Sequence, residues 1–309
     1  MCCNDRQRMN IQTSLNRLDR FQRRHRILAF TVAVIKRYSD DNAGYQAALL
    51  TYYGYLALFP LLLILATVTQ LIATSRPELQ ARVISATASY FPVLGDQLES
   101  HVHSLHKSGL ALLIGILILF YGARGVAAAF RHGVNLLWRI PRAEQVGFPQ
   151  SMLKNLAIIV VGGLGFLGAA STASVIAPTG SGWIVRLLSL AANEFLLFWL
   201  FAFLLKYSLP RRISWRETRT AALVSAVGLL VLQLLGVYLL ARTLKHLDAL
   251  YSYFALSLGL LFWIYLQAQV VYYAIEIAVV KHQKLWPRSL TGHQLTAADK
   301  QLALHHTDA

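Results

Sequence analysis

Long runs of apolar residues alternate along the chain with shorter polar and basic segments. Six of the runs are long enough to cross a bilayer: residues 46–74, 109–130, 152–177, 183–208, 219–243 and 250–280. A hydrocarbon core about 30 Å thick requires about 20 apolar residues of helix at about 1.5 Å per residue. The period-two alternation typical of a half-buried strand is not seen in the sequence. The pattern predicts an all-α polytopic membrane protein, a bundle of six transmembrane helices.

A seventh apolar stretch lies ahead of the first span, at residues 26–37, and has basic residues at both ends. It is too short to cross the membrane, so we expect an N-terminal interfacial helix lying on the inner leaflet. The sequence therefore divides into a basic cytoplasmic arm (1–25), a membrane domain (26–285) and a cytoplasmic tail (286–309). The connector 75–108 is the one long extracytoplasmic segment in this division.

Basic residues are concentrated in alternate connectors. Nine Lys and Arg precede the first span, four follow the second, five follow the fourth and four lie in the C-terminal tail, whereas the other three connectors share six. By the positive-inside rule, both termini are predicted to be cytoplasmic. The net charge of +15 is then explained by contact with anionic lipid headgroups, and no nucleic-acid partner is expected.

Two features of the spans predict local helix geometry. Pro60, near the middle of the first span, removes a backbone hydrogen bond and is expected to kink that helix. Gly165, Ala169 and Ala173 fall at four-residue steps on one face of the third span, where small side chains let helices approach closely. The GxGxxG pattern at residues 163–168 lacks the strand and acidic residue of a dinucleotide site, so no cofactor is predicted.

Charged residues inside the spans are expensive in hydrocarbon and normally find partners within the bundle. Arg124 and Glu276 lie at a similar depth in the second and sixth spans and carry opposite charges. We expect them to pair, directly or through Asn135 and His132. Such a pair would serve either to fix helix positions or to line a substrate pathway, and the sequence leaves both open.

Glu194 lies deeper, in the fourth span, and glutamines occur at comparable depth in the fifth and sixth spans, at Gln233 and Gln267. Polar side chains at one level indicate either a hydrated cavity or a polar layer between packed helices. The sequence does not distinguish the two.

Candidate chemistry is sparse. His101, His103 and His106 cluster in the connector 75–108, but their spacing matches no closed zinc site, and a solvated loop is the preferred interpretation. The sequence has no HExxH, P-loop, CxxC or GxSxG motif. We therefore predict neither a metal site nor catalytic residues, and expect a protein that is not an enzyme.

Several motifs occur in an order that resembles the YihY/virulence factor BrkB family of bacterial inner-membrane proteins. They are Ala47–Leu62 with its Phe-Pro-Leu-Leu ending, Tyr121–Gly125, Asn135–Trp138, Leu209-Pro210, Phe262–Tyr265 and Glu276. The chain departs from the family pattern at residues 251–256 and 273–276, where it lacks glycines that relatives often have.

The resemblance implies a six-helix protein of the bacterial inner membrane, with both ends in the cytoplasm. Some members of the family are labelled ribonuclease BN and others are described as virulence or serum-resistance factors. Polar residues at the midplane, a kinked first helix and a basic inner surface favour transport or facilitated movement of a lipid or other amphiphile. The alternative is a non-catalytic scaffold that interacts with the envelope. A ribonuclease is the least favoured, because the cytoplasmic segments hold only scattered carboxylates.

Overall fold

A computed structural model describes the backbone of residues 19, 21–22, 25–73, 109–147, 149–176, 183–210, 213–243 and 249–289. Within these ranges the side chains of 59–73, 109–112, 115–116, 166–176, 185–186, 237–243 and 249–256 are not described. The arm before residue 19, the connector 75–108 and the tail after residue 289 lie outside the described residues. Predictions about His101, His103 and His106 therefore remain predictions.

The described part of the chain contains seven α-helices and the connector residues between them. The helices are α1 (Arg26–Asp40), α2 (Ala43–Ala73), α3 (Gly109–Leu137), α4 (Gln150–Ile176), α5 (Trp183–Ser208), α6 (Trp215–Thr243) and α7 (Ala249–His282), with a short 3-10 helix at Arg142–Glu144. Each predicted span coincides with one of the helices α2–α7. The prediction of an all-α chain is confirmed for the residues described.

Three stretches have the length and composition of membrane-crossing helices in the described part of the chain: Leu187–Ser208, Trp215–Gly236 and Ser257–His282. A shorter apolar stretch, Gln150–Gly165, lies in α4. The six-span topology remains a prediction, as does the kink, since α2 is helical through Pro60 but the side chain of Pro60 is not described.

Helices α2–α7 form a closed ring. Each helix contacts the next along the chain, and α7 returns to contact α2. Helix α1 packs outside this ring, against α7 and α2, with Ala29, Ala33 and Val34 buried. Its exposed face carries Ile27 and Ile35. The predicted helix at 26–37 is therefore present, and its location on a membrane surface stays a prediction.

The helix ends that adjoin the basic connectors lie together with α1, and we call this the basic end of the bundle: α1, the described connector residues 138–147, 149, 209–210 and 213–214, and residues 283–289. Helix α6 begins there with Ser214, whose Oγ accepts a hydrogen bond from Arg216 N at 3.0 Å. Such a capping serine satisfies a backbone donor that the first turn leaves without an acceptor.

Helices α3 and α7 also end at the basic end, each with a residue in the left-handed conformation. These residues are Arg139 (φ 51°) and Lys284 (φ 53°). Ile140 N donates to Asn135 O at 2.9 Å, and Leu285 N donates to Val280 O at 3.1 Å. Both bonds have the spacing of the Schellman motif, in which glycine is the usual left-handed residue.

Replacement of Lys284 by Gly is expected to raise the free energy of unfolding by about 0.5–1 kcal/mol, because glycine has no Cβ to oppose a positive φ. Lys281→Gly is the matched control. Lys281 lies in the last turn of α7, where glycine lowers stability by about 1 kcal/mol. Thermal unfolding in detergent, followed by tryptophan fluorescence, measures both. If Lys284→Gly and Lys281→Gly changed the unfolding temperature equally and in the same direction, the left-handed conformation of Lys284 would have no effect on stability, contrary to this prediction.

Candidate functional site

The helices of the ring surround an apolar cavity that is partly open, which we call the central cavity, with a volume of about 670 Å³. All six ring helices contribute to its lining. Members of the lining include Gly54 and Ala57 of α2, Phe130 of α3, Gly162 and Gly163 of α4, Phe201 and Leu204 of α5, Leu229 of α6, and Gln267 and Val271 of α7. Ligand pockets in proteins typically occupy about 300–1,000 Å³, so the central cavity has the size of a binding site.

Small side chains create this space. A Cβ atom added to Gly162 or to Gly163 would have no neighbour within 4 Å. The two glycines therefore leave room in the central cavity instead of packing against another helix. Gly165, which the sequence placed in a packing seam, lies against Leu200 of α5, and Ala169 and Ala173 lie outside the described side chains.

Toward the basic end, the central cavity gives way to a packed layer. Val134 lies one turn beyond the cavity-lining Phe130, while Tyr272 and Ile275 follow Val271 on α7. All three are completely buried in the core cluster. The layer separates the cavity from the charged groups at the basic end.

A buried ion cluster lies beyond this layer, formed by Arg37, Asp41, Arg139 and Glu276. Arg37 Nε lies 2.8 Å from Glu276 Oε2 and 3.2 Å from Asp41 Oδ2. The side chains of Arg37 and Glu276 are 1% and 0% exposed. Arg139 Nη2 contacts Asp41 Oδ1 at 2.7 Å. Two cations and two carboxylates thus balance one another. Three of the four side chains are almost completely buried, and Arg139, which is 22% exposed, lies at the edge of the cluster.

The cluster also joins three helices at one point. Arg37 at the end of α1 donates from Nη2 to the carbonyl oxygen of Leu137, the last residue of α3, at 2.9 Å, and it contacts Glu276 on α7. A cation at a helix C-terminus is favourable because the last carbonyls carry partial negative charge. Burial lowers the pKa of Arg37, and the carboxylates of Glu276 and Asp41 oppose that shift. An arginine with these partners remains charged.

The predicted pairing of Arg124 with Glu276 is wrong. Glu276 pairs with Arg37, and Arg124 lies exposed on the outer side of α3, where it lines a separate groove beside α4. Similar depth along two helices does not determine which way their side chains point. Asn135 likewise does not link the two charges, since its Nδ2 donates to Arg131 O at 2.8 Å.

Asn135 instead lies in a small polar pocket of about 70 Å³ at the basic end. Other residues of its lining are Arg131, His132, Glu144, Lys154 and Ser208. The pocket has about a tenth of the volume of the central cavity. Its lining carries two cationic side chains, a histidine and one carboxylate.

Glu194, Gln233 and Gln267, which were predicted to lie at a similar depth in the membrane, do not line the same cavity among those described. Gln267 supplies the only polar side chain in the described lining of the central cavity. Glu194 lies on α5 with both carboxylate oxygens buried and without a hydrogen-bond partner among the described residues. Gln233 on α6 is partly buried and absent from the described linings of the cavity, the polar pocket and the groove.

Sequence reasoning missed Arg37 and Asp41 as members of the buried cluster. One signal for them was present: Ala29, Ala33 and Arg37 follow one another at four-residue steps, which places them on one face of α1. Asp41 lies a further four residues on. In the described part of the chain, no group of three His, Cys, Asp or Glu has the proximity of a metal site.

Residues 34–297 match the family model described as virulence factor BrkB. The chain belongs to the virulence factor BrkB family. The match covers more than half of the sequence, including α2–α7 and the ion cluster, and agrees with the resemblance seen in the motifs. Comparisons of this BrkB-family chain with curated proteins and with solved structures give no match. Its family and its long apolar helices identify it as a helical membrane protein.

Proposed function

We propose that this BrkB-family protein binds the hydrocarbon portion of an amphiphile in its central cavity and facilitates the movement of that amphiphile in the bacterial inner membrane. The observation that carries the proposal is the cavity itself, an apolar space of about 670 Å³ to which all six ring helices contribute. An apolar space of this size favours an apolar occupant, because its lining offers almost no hydrogen-bond partner and a polar group placed there would remain unsatisfied.

The distribution of charge supports the same function. The described parts of the basic connectors lie at the end of the bundle where α1 and the ion cluster lie, and we place this end in the cytoplasm by the positive-inside rule. Anionic headgroups of the inner leaflet are attracted to such a surface. The packed layer at Val134, Tyr272 and Ile275 keeps the cavity apart from the cytoplasmic side in this conformation.

Filling the cavity tests the proposal. A phospholipid with a photoactivatable group at the end of one acyl chain is incorporated into nanodiscs with the protein, and labelled residues are identified by mass spectrometry. We expect labelling inside the ring, at Phe130, Leu204 and Val271. Gly163→Leu should reduce it about tenfold or more, because forcing a chain into occupied space costs about 1–3 kcal/mol.

Gly147→Leu is the matched control, since Gly147 also has open space around an added Cβ but lies in the connector 138–149, outside the cavity. In the Gly147→Leu protein, the lipid should label residues inside the ring to the same extent as in the wild type. Labelling confined to the outer surface of the ring in the wild type would overturn the proposal. So would labelling inside the ring that Gly163→Leu leaves unchanged, provided both proteins remain folded by tryptophan fluorescence.

A further inference from the structure

A groove on the outer side of the ring lies between α3 and α4 and has a volume of about 560 Å³. Most of its lining is apolar, including Met152, Leu153 and Leu156. The polar side chains of its lining are Arg124, Gln150 and Asn155. The groove therefore combines an apolar wall with three polar side chains, as an amphiphile combines apolar and polar parts.

The groove and the central cavity share two lining residues, Phe120 of α3 and Ile159 of α4. These two side chains form the boundary between the groove outside the ring and the cavity inside it. Phe120 is 56% exposed. Part of this boundary is therefore a phenyl side chain with few protein contacts. The seam between α3 and α4 thus lies directly between the surrounding membrane and the cavity.

Arg124 brings an uncompensated charge to the groove. Its side chain is exposed, and no carboxylate of the described residues lies within ion-pair distance. A cation within a membrane span normally has an anionic partner. The planar guanidinium group binds phosphate through two parallel hydrogen bonds, which makes phosphate the partner that its chemistry fits best.

Asn155 is the second polar group that lacks a partner in the groove. The residue is only 9% exposed, and its Oδ1 has no hydrogen-bond donor among the described residues. A buried acceptor without a hydrogen-bond donor lowers stability by about 1–3 kcal/mol. A hydroxyl or ammonium group on a lipid headgroup would supply the missing donor.

We infer that the groove is the entrance for a membrane phospholipid. Its phosphate binds Arg124, its headgroup donor reaches Asn155, and one acyl chain passes between Phe120 and Ile159 into the central cavity. The inference rests on the proposed function, to which it adds the class of ligand and the route of entry.

The test compares two photoactivatable lipids with identical acyl chains in nanodiscs: phosphatidylglycerol, and diacylglycerol, which has no phosphate. In the wild-type protein, the phospholipid should label residues inside the ring about fivefold more than diacylglycerol does. This factor corresponds to the stabilisation of about 1 kcal/mol that one basic residue near an anionic headgroup provides. Arg124→Gln should reduce phospholipid labelling to the level of diacylglycerol and leave diacylglycerol labelling unchanged. Arg124→Lys should retain most of the preference, since it keeps the charge.

Arg142→Gln is the control for charge alone, because Arg142 is an exposed arginine of the basic end that lies outside the groove; it should keep the full preference. Equal labelling by both lipids in the wild type, or an equal loss of preference in the Arg124→Gln and Arg142→Gln proteins, would overturn the inference and leave the proposed function standing. A wild type labelled inside the ring by neither lipid would overturn both.

Discussion

Replacement of Glu276 by Ala is expected to lower the free energy of unfolding by about 3–5 kcal/mol, because it leaves the guanidinium group of Arg37 buried without its closest carboxylate. Arg37 and Glu276 are almost completely inaccessible, and their nearest atoms are 2.8 Å apart. Asp41 remains near Arg37, but it already pairs with Arg139. Reversible unfolding in mixed micelles, followed by tryptophan fluorescence, measures the change.

The control for this prediction is Asp40→Asn. Asp40 is the neighbour of Asp41 in the chain and pairs with Arg288 at 2.7 Å, but its side chain is 39% exposed. The carboxylate of Asp40 is open to water whereas that of Glu276 is 0% exposed, so Asp40→Asn should cost less than Glu276→Ala. A cost for Glu276→Ala as small as that of Asp40→Asn would contradict the account of the cluster.

The double replacement Arg37→Met with Glu276→Met separates charge from packing. It removes both partners and keeps their approximate volume, so no unpaired charge is left between them. Buried ion pairs replaced in this way are often neutral or stabilising. We expect the double variant to be more stable than either Arg37→Met or Glu276→Met alone. A double variant no more stable than either single variant would contradict this expectation, and one less stable than the wild type would show that the pair contributes net stability.

Gly122→Val is expected to destabilise the protein by about 1–3 kcal/mol, or to prevent its assembly, because the site has no room for a side chain. A Cβ at Gly122 of α3 would lie 2.8 Å from Ala57 Cβ and 2.9 Å from Ala57 Cα on α2. The second contact is to the backbone, so relief requires the two helices to separate. Thermal unfolding in detergent and the yield of monodisperse protein are the measurements.

Gly163→Val makes the same chemical change in α4, where an added Cβ has no neighbour within 4 Å. It should leave stability unchanged or raise it slightly, since valine is a better helix former than glycine. Equal effects at the two positions would mean that α2 and α3 do not approach as closely as the structure places them.

The helices could be predicted from the sequence because one physical rule defines them. An apolar run of about 20 residues is a helix in hydrocarbon, where every backbone polar group must bond within its own segment. The rule locates α2–α7, and the four-residue spacing of Ala29, Ala33 and Arg37 locates the buried face of α1. Helix ends were less predictable, since Arg139 and Lys284 end α3 and α7 without a glycine.

The contacts of the candidate site could be predicted from the sequence less well than the helices. The sequence indicates that Glu276 needs a cation, and it identifies Arg124 at similar depth, but depth does not determine rotation about the helix axis. The actual partner, Arg37, lies on a helix whose packing against α7 is a tertiary feature. The central cavity depends on which small residues of six helices face one another. Gly162 and Gly163 face the cavity, while Gly165, two residues further, packs against Leu200.

The buried ion cluster and the central cavity have different tasks in this account. The cluster fixes α1, α3 and α7 at the basic end, which holds the packed layer of Val134, Tyr272 and Ile275 closed. The cavity lies on the other side of that layer, next to the seam at Phe120 and Ile159. Substitutions in the cluster should therefore change stability, and substitutions at Gly163 or Arg124 should change lipid binding.

The most direct test of the central claim is a structure of the protein in lipid nanodiscs, determined by electron cryo-microscopy. We predict an elongated density of hydrocarbon width within the ring, in contact with Gly163, Phe130 and Val271 and continuous with density beside Arg124. A ring in which α4 has moved inward, so that Gly163 packs against another helix and no space remains for a chain, would contradict it.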